Sequence, residues 1–281
     1  MVAAACGSSD DSNAARSSAS SGFVGLRLSA DQFVHPEPQR FAFAVTKDDR
    51  FFDGPPARVA FATPTVFAEH SEEDPSEVPG DQFGPYLDTT LRAEGLPEDR
   101  GVYDLQQVFD EEGFWLARIE MEGARFELPF GVNPLPEGLI AGEPAPRAAS
   151  PTPTDPLGVD PICTRDPGCG LHTVSLDDVV GSGRPAAVMF ATPARCASQY
   201  CQPVLDLMLD LEDEFAERIQ LVHVEIFRSD SGEELVPTLE PWGIQTEPWL
   251  FGIDSAGNVT ERVGGAFDRS QVRELLERLA G

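Results

Sequence analysis

Positive charge is scarce in this sequence of 281 residues. Lys47 is the only lysine, and 20 basic residues stand against 48 acidic ones, which gives a formal net charge of −28. Proteins that bind nucleic acid neutralise its phosphates with Lys and Arg. A negatively charged protein surface repels the negatively charged phosphates, so we expect no nucleic-acid partner.

Long apolar runs are also missing. No stretch reaches the roughly 18 consecutive apolar residues of a membrane-spanning helix, so the sequence predicts no such helix. The hydrophobic fraction of 41% is still enough to form folded cores. The chain length fits two domains of ordinary size.

The first six residues read MVAAAC and are followed by a Ser-rich polar stretch. Small residues before a cysteine, then a polar tether, resemble the end of a bacterial lipoprotein signal peptide. The basic and apolar regions of such a signal are missing, so the resemblance implies a start upstream of Met1. It also implies lipidation of Cys6, a membrane contact through that lipid and an extracytoplasmic location. Residues 1–22 would then form the anchor and a flexible tether. The alternative is a free thiol on a disordered tail.

Residues 23–132 contain short segments in which apolar and polar residues alternate. Such alternation predicts strands with one buried face, and the pair Glu122-Gly123 predicts a hairpin turn between two of them. We therefore predict an all-β sandwich. Gly101 and Tyr103, followed by Gly113 and Trp115, resemble the pattern of small immunoglobulin-like bacterial domains. The expected strands cover residues 40–45, 58–62, 101–103, 114–119 and 124–128.

Residues 133–160 are rich in Pro, Ala and Gly, which predicts an extended, semi-rigid spacer before a second domain at residues 161–281. Cys163 and Cys169 follow the spacer and flank a turn sequence, Asp166-Pro-Gly168. A turn there can bring the two Cα atoms within disulfide distance, so we predict a structural disulfide. A metal site of Cys163, Cys169 and His172 is the alternative, but it lacks a fourth local ligand. We predict neither a metal nor a cofactor.

The periodicity of residues 161–281 predicts the order strand, helix, strand, helix, strand, strand, helix, which is the order of the thioredoxin fold. Asp268 and Gln271 form a capping-box sequence at the start of the last helix. The expected strands cover residues 186–191, 219–227, 249–254 and 258–263, and the expected helices begin near residues 200–202, 233 and 268.

Two stretches resemble thioredoxin-like extracytoplasmic proteins. The first runs from Ala187 through Cys196 to Cys201-Gln-Pro203, and the second is Thr246-Glu-Pro248. The resemblance implies an α/β thioredoxin fold in which Cys196 is the nucleophile and Cys201 the resolving cysteine. It further implies that Pro248 follows a cis peptide bond and forms the wall on the substrate side.

The spacing of the two cysteines departs from that family, because four residues separate them in place of two. In one continuous helix, residues five apart rise about 7.5 Å, which is too far for a disulfide without backbone movement. Pro203 would clash with the carbonyl of Gln199 in such a helix. We therefore predict that the helix begins at residues 200–202 and that Cys196 lies on the preceding loop, within reach of Cys201.

The leading functional hypothesis is thiol–disulfide exchange with protein thiols or disulfides, in which Cys196 attacks and Cys201 resolves. One alternative is a non-enzymatic binding lipoprotein whose disulfides only stabilise the fold. Another is a peroxiredoxin-like peroxidase, although Pro193 stands where that family has a threonine. A copper chaperone would need a distal histidine, and the only candidate, His223, is predicted as a core residue of its strand.

Overall fold

The computed structural model describes residues 22–70, 78–98, 100–196, 199–229, 232 and 234–281. Cys6 and the predicted tether up to residue 21 lie outside these residues. In the described ranges, no helix has both the length and the apolar character needed to cross a bilayer.

The N-terminal half consists of two antiparallel sheets. One sheet has the strand order β1-β2-β7-β6 with β3 paired to β2, and the other has the order β5-β4-β8-β9. Apolar side chains from both sheets meet in one core, where Phe41, Phe61 and Phe130 contact one another. The two packed sheets agree with the predicted β-rich half, although the short helix α1 (Pro64–His70) was not predicted. Its immunoglobulin-like character stays a prediction. The elements are β1 (Phe23–Arg27), β2 (His35–Lys47), β3 (Arg50–Phe52), β4 (Arg58–Ala62), α1 (Pro64–His70), β5 (Leu87–Asp88), β6 (Thr90–Arg92), β7 (Val102–Phe109), β8 (Gly113–Met121) and β9 (Ala124–Val132).

The turn between β8 and β9 forms where the sequence predicts it. Glu122 and Gly123 have φ values of 51° and 77°, and they connect the paired residues Met121 and Ala124. Two successive residues with positive φ are typical of the tight hairpin turn that matches the twist of the strands.

The C-terminal half has one four-stranded sheet of order β11-β10-β12-β13. Strand β10 is parallel to β11 and antiparallel to β12, which is antiparallel to β13. This order and these directions are those of the predicted thioredoxin-like fold. Asp268 and Gln271 form the predicted capping box. The elements are α2 (Leu176–Val179), β10 (Ala186–Phe190), α3 (Cys201–Leu209), α4 (Glu212–Phe215), β11 (Gln220–Val224), α5 (Leu239–Trp242), β12 (Trp249–Ile253), β13 (Val259–Gly264) and α6 (Arg269–Ala280).

The helix expected from residue 233 begins later than predicted, at Leu239. Pro237 disfavours a helical conformation for the residue before it. Val236 is accordingly outside the helix, and its amide donates to the carbonyl of Ile226 at 2.8 Å. The local proline therefore overrides the apolar pattern on which the prediction depended.

Residues 133–160, which we call the strap, contain several turns and do not hold the two halves apart. The amide of Gly142 donates to the carbonyl of Val259, and the amide of Asp160 donates to the carbonyl of Arg228, both at 2.8 Å. Ala145 and Val159 are buried in the core on one face of the C-terminal sheet. The strap is thus an integral part of the C-terminal half, which corrects its interpretation as a spacer.

The two halves share a polar junction at Asp104 on β7. This carboxylate is 6% exposed and accepts hydrogen bonds from Arg40 Nε at 3.0 Å and from Gln271 Nε2 of α6 at 3.0 Å. Arg40 also donates to the carbonyl of Ala266. A buried charge is tolerated only where it is paired and hydrogen-bonded, so this junction fixes the β half against α6.

Candidate functional site

Cys196 and Cys201 form a disulfide, with their Cα atoms 5.7 Å apart. Helix α3 begins at Cys201, as the position of Pro203 predicts, and Cys196 lies on the loop before it. Because the loop breaks the helical geometry, the two cysteines reach the ordinary Cα separation of a disulfide despite their wide spacing.

The two sulfurs of this pair have different environments. Cys201 is completely buried, whereas Cys196 is partly exposed. The backbone amide of Cys201 donates to Cys196 Sγ at 3.2 Å. The amino end of a helix carries partial positive charge, which stabilises a thiolate placed beside it. Cys196 is therefore the more exposed residue of the pair, and its sulfur lies beside the amino end of the helix.

Residues from the N-terminal half hold the loop between the two cysteines. Gln199 has a φ of 62°, which is uncommon for a residue other than glycine. Arg100 donates to the backbone carbonyl of Gln199 at 2.9 Å and to its side-chain oxygen at 3.1 Å. The next residue, Tyr200, donates its hydroxyl to the carbonyl of Arg100 and contacts the ring of Phe51 edge-on. The sequence gives no local signal for these contacts, since Arg100 is 99 residues from Gln199.

Glu247 also lies beside the cysteine pair. It was not predicted as a site residue, although it belongs to the Thr246-Glu-Pro248 motif. The Glu247–Pro248 bond is cis, as the resemblance implies. A carboxylate oxygen of Glu247 lies within 4.8 Å of the sulfurs of Cys196 and Cys201. Burial raises the pKa of Glu247 to about 7, and a hydrogen bond from the Thr192 amide opposes this rise. A carboxyl group with a pKa near neutrality can both accept and donate a proton beside the disulfide.

The predicted disulfide between Cys163 and Cys169 is absent from the structure. Both residues are thiols, and their sulfurs are 3.6 Å apart, against about 2.05 Å in a disulfide. Two imidazole rings are hydrogen-bonded into the same cluster. His223 Nδ1 lies 3.3 Å from Cys169 Sγ and 3.0 Å from His172 Nε2. The two thiols and the two imidazole rings thus form one connected group of polar contacts.

His223 is a buried residue of β11, as predicted. It lies beside Cys163 and Cys169 and not beside Cys196 and Cys201. Its ring contacts Cys169, so it is not the distal histidine of a copper site at Cys196 and Cys201. Hydrogen bonds from Cys169, His172 and His223 lower the pKa of Cys163, and burial lowers the pKa of His223. The first shift favours the thiolate form of Cys163, and the second favours the neutral imidazole of His223. A buried histidine needs hydrogen-bond partners, and that requirement is the signal in the sequence that could have added His223 to Cys163, Cys169 and His172.

No family model matches the sequence, and no curated protein matches it. Two solved structures from Chlorobium tepidum are similar to part of the chain. One, named thiol:disulfide interchange protein DsbE, is 19% identical, with a TM-score of 0.37, and the match covers 51% of this chain and 99% of that one. The other, a thiol:disulfide interchange protein of the thioredoxin family, is 17% identical, with a TM-score of 0.31, over 50% of this chain and 100% of that one. Both likenesses are weak, so the function of this chain has to be inferred from its own geometry.

Replacing Arg100 tests the support of the cysteine loop from the N-terminal half. Arg100→Ala removes two hydrogen bonds to Gln199, worth about 1 kcal/mol together at an exposed position. We expect dithiothreitol to reduce the Cys196–Cys201 disulfide about fivefold faster in this variant, as measured by alkylation and peptide mass spectrometry. Arg50→Ala, at an exposed position on β3, is the control. Equal rates for Arg100→Ala and the unchanged chain would contradict the proposed support.

Replacing Glu247 tests its burial as a carboxylic acid. Because the folded state raises its pKa from 4.5 to about 7, Glu247 contributes stability that is fully present below pH 4.5 and lost as the pH rises towards 7. Glu247→Gln stays neutral throughout. The free energy of unfolding should therefore fall less in the variant between these pH values, by on the order of 2 kcal/mol. Urea unfolding of the disulfide-bonded chain at several pH values measures this, and parallel curves would show that Glu247 is not the titrating group.

Proposed function

We propose that the chain is a thiol–disulfide oxidoreductase that acts on protein thiols or disulfides outside the cytoplasm. The observation that carries this proposal is the asymmetric pair at the start of α3, in which a partly exposed Cys196 is bonded to a fully buried Cys201. Exchange requires one sulfur that a substrate reaches and a second that attacks from within, and the pair meets both requirements.

The exchange reaction can be written with these residues alone. The Cys196 thiolate attacks one sulfur of a substrate disulfide, the substrate S–S bond breaks, and the other substrate sulfur leaves as a thiolate. Cys201 then gives its proton to the Glu247 carboxylate and attacks Cys196 Sγ, which releases the second substrate thiolate. Two electrons pass from the cysteine pair to the substrate, and the reverse sequence oxidises a substrate dithiol.

We assign Pro248 to the wall that the substrate contacts, because the residue before it, Glu247, approaches both sulfurs. We assign residues 161–281 to the thioredoxin-like domain and residues 23–132 to an immunoglobulin-like domain that supports it. The hydrogen bonds between Arg100 and Gln199 support this second assignment, since they connect the β half to the cysteine loop.

The location of the protein is part of the proposal. The MVAAAC sequence and the polar stretch after it support a membrane lipoprotein that is lipidated at Cys6. The Cys196–Cys201 disulfide is also compatible with an oxidising compartment. Expression of the gene with its upstream region, with a labelled fatty acid in the medium, tests this. We expect label on the chain but none on a Cys6→Ser variant, and an unlabelled chain would exclude lipidation.

The two alternatives have less support. A non-enzymatic binding lipoprotein would need Cys196 to serve only as a structural residue, although the residue is partly exposed and its sulfur accepts a hydrogen bond from the first amide of α3. A peroxidase would need a threonine hydroxyl at the position of Pro193. The nearby Thr192 is 1% exposed, and its hydroxyl accepts from the amide of Ile226.

Mixed-disulfide trapping tests the assigned roles of the two cysteines. In a chain whose Cys6, Cys163 and Cys169 are replaced by serine, Cys201→Ser should form a stable mixed disulfide with oxidised glutathione at Cys196. The matched Cys196→Ser variant should form little, because Cys201 is fully buried. Intact mass spectrometry distinguishes the two. Trapping at Cys201 in place of Cys196 would reverse the assigned roles.

The midpoint potential of the pair decides between the enzyme and the binding protein. We expect a value between about −120 and −270 mV in glutathione and dithiothreitol buffers, the range of working oxidoreductases. A value below about −300 mV would identify a structural bridge and contradict the proposed function.

A further inference from the structure

A second group of side chains, separate from the Cys196–Cys201 pair, has the geometry of a metal centre. The donor atoms of Cys163, Cys169, His172 and His223 all lie within 4.8 Å of one another. The two cysteines and His172 come from the segment that precedes α2, whereas His223 lies in the middle of β11. We call these four residues the Cys2His2 cluster.

The spacing of the donors in the Cys2His2 cluster is close to tetrahedral. With zinc–sulfur bonds of about 2.3 Å and zinc–nitrogen bonds of about 2.0–2.1 Å, the edges of a tetrahedral site are about 3.8 Å between sulfurs, 3.5 Å from sulfur to nitrogen and 3.3 Å between nitrogens. The corresponding distances are 3.6 Å between the two cysteines, 3.3 Å from Cys169 to His223 and 3.0 Å between the histidines. Each of these three edges is a few tenths of an ångström shorter than that of the metal-bound form, and the other three pairs of donors lie within 4.8 Å.

The groups around the cluster orient its donors as they do in metal sites. His223 Nε2 lies 2.9 Å from the carbonyl of Ala191 and donates to it, which leaves the lone pair of Nδ1 directed into the cluster. Metal-bound histidines are held by a hydrogen bond of this kind. The sulfurs are held as well, because the amide of Cys169 donates to Cys163 Sγ and the amide of Leu171 donates to Cys169 Sγ, each at 3.4 Å.

The second histidine is directed at the cluster through one nitrogen only. His172 is 4% exposed, and its Nδ1 has no hydrogen-bond partner among the described residues. Its other nitrogen, Nε2, faces His223 Nδ1 at 3.0 Å. The two buried imidazoles lie against each other and against the two thiols. A disulfide would need neither ring, whereas one ligand shared by all four groups explains why both rings are there.

We propose that Cys163, Cys169, His172 and His223 bind one Zn²⁺ ion in a closed tetrahedral site. Two thiolates balance the charge of the ion, so the buried complex is neutral. All four positions are filled by the protein, which is typical of structural zinc and leaves no position for a substrate. The ion would fasten the segment that carries Cys163 and Cys169 to strand β11. Cys163 is the partly exposed member of the group, and it gives the ion a path of entry.

Substitution with Co²⁺ tests the site directly. The full chain, reduced and freed of metal, is titrated with Co²⁺ under argon. We expect one equivalent to bind, with the strong visible bands of tetrahedral cobalt and a thiolate charge-transfer band in the near ultraviolet. Added Zn²⁺ should abolish both. Absence of these bands in the reduced chain, or binding of Cu⁺ without binding of Co²⁺ or Zn²⁺, would overturn the zinc assignment.

Matched variants locate the ion. Cys163→Ser and His172→Gln should each weaken Zn²⁺ binding by at least about tenfold in competition with a chromophoric chelator. A chain with both Cys196→Ser and Cys201→Ser should bind Zn²⁺ as the unchanged chain does. Loss of binding in that double variant instead would place the ion at the other pair of cysteines.

Thermal unfolding gives a readout that does not depend on the spectrum. Zn²⁺ should raise the melting temperature of the reduced chain, since an ion bound only by the folded state stabilises it. The same ion should leave the melting temperature of Cys163→Ser nearly unchanged. An equal rise in both chains would show that the stabilisation does not come from the Cys2His2 cluster.

Discussion

The burial of helix α3 on two sides is the constraint on which the rest of the structure depends. Its apolar residues, among them Val204, Leu207 and Met208, pack against the sheet of the C-terminal half and α6. The same core contains Leu28 and Ala42 from the N-terminal half. A side chain added at Gly95 would meet Leu207, which shows how closely the two halves approach. The helix that carries Cys201 is therefore fixed by both halves of the chain.

This enclosure explains the asymmetry of the cysteine pair. Cys201 is the first residue of α3 and is buried with it, whereas Cys196 lies on the loop outside the core. Arg100 donates two hydrogen bonds to Gln199, which lies between the cysteines. In this chain, the environment of a thioredoxin-like site thus includes residues of the all-β half.

Local signals were enough to predict the elements that depend on neighbouring residues. The hairpin at Glu122, the start of α3 before Pro203 and the cap at Asp268 each follow from the conformational preferences of one or two residues. The order of strands and helices gave the thioredoxin-like topology in the same way. The helix expected from residue 233 begins only at Leu239, because Pro237 disfavours a helical conformation at the residue before it.

The contacts that complete the two sites could not be predicted, because they join distant parts of the chain. Arg100 meets Gln199 only when the halves pack, and His223 meets Cys169 only through the position of β11 beside the segment before α2. The disulfide predicted for Cys163 and Cys169 was reasonable from their spacing alone. The fourth donor of that cluster, His223, is 54 residues from Cys169 and had no local signal.

The course of the strap also determines how the C-terminal sheet meets other molecules. Strands β13 and β11 are its two edges. The strap bonds to both backbone groups of Val259 on β13, and Leu171 accepts from the amide of His223 on β11. Free strand edges are templates on which the sheets of separate molecules add to one another and aggregate. Because segments of the same chain bond to part of each edge, and because the strong negative charge repels other copies, self-association through this sheet is disfavoured.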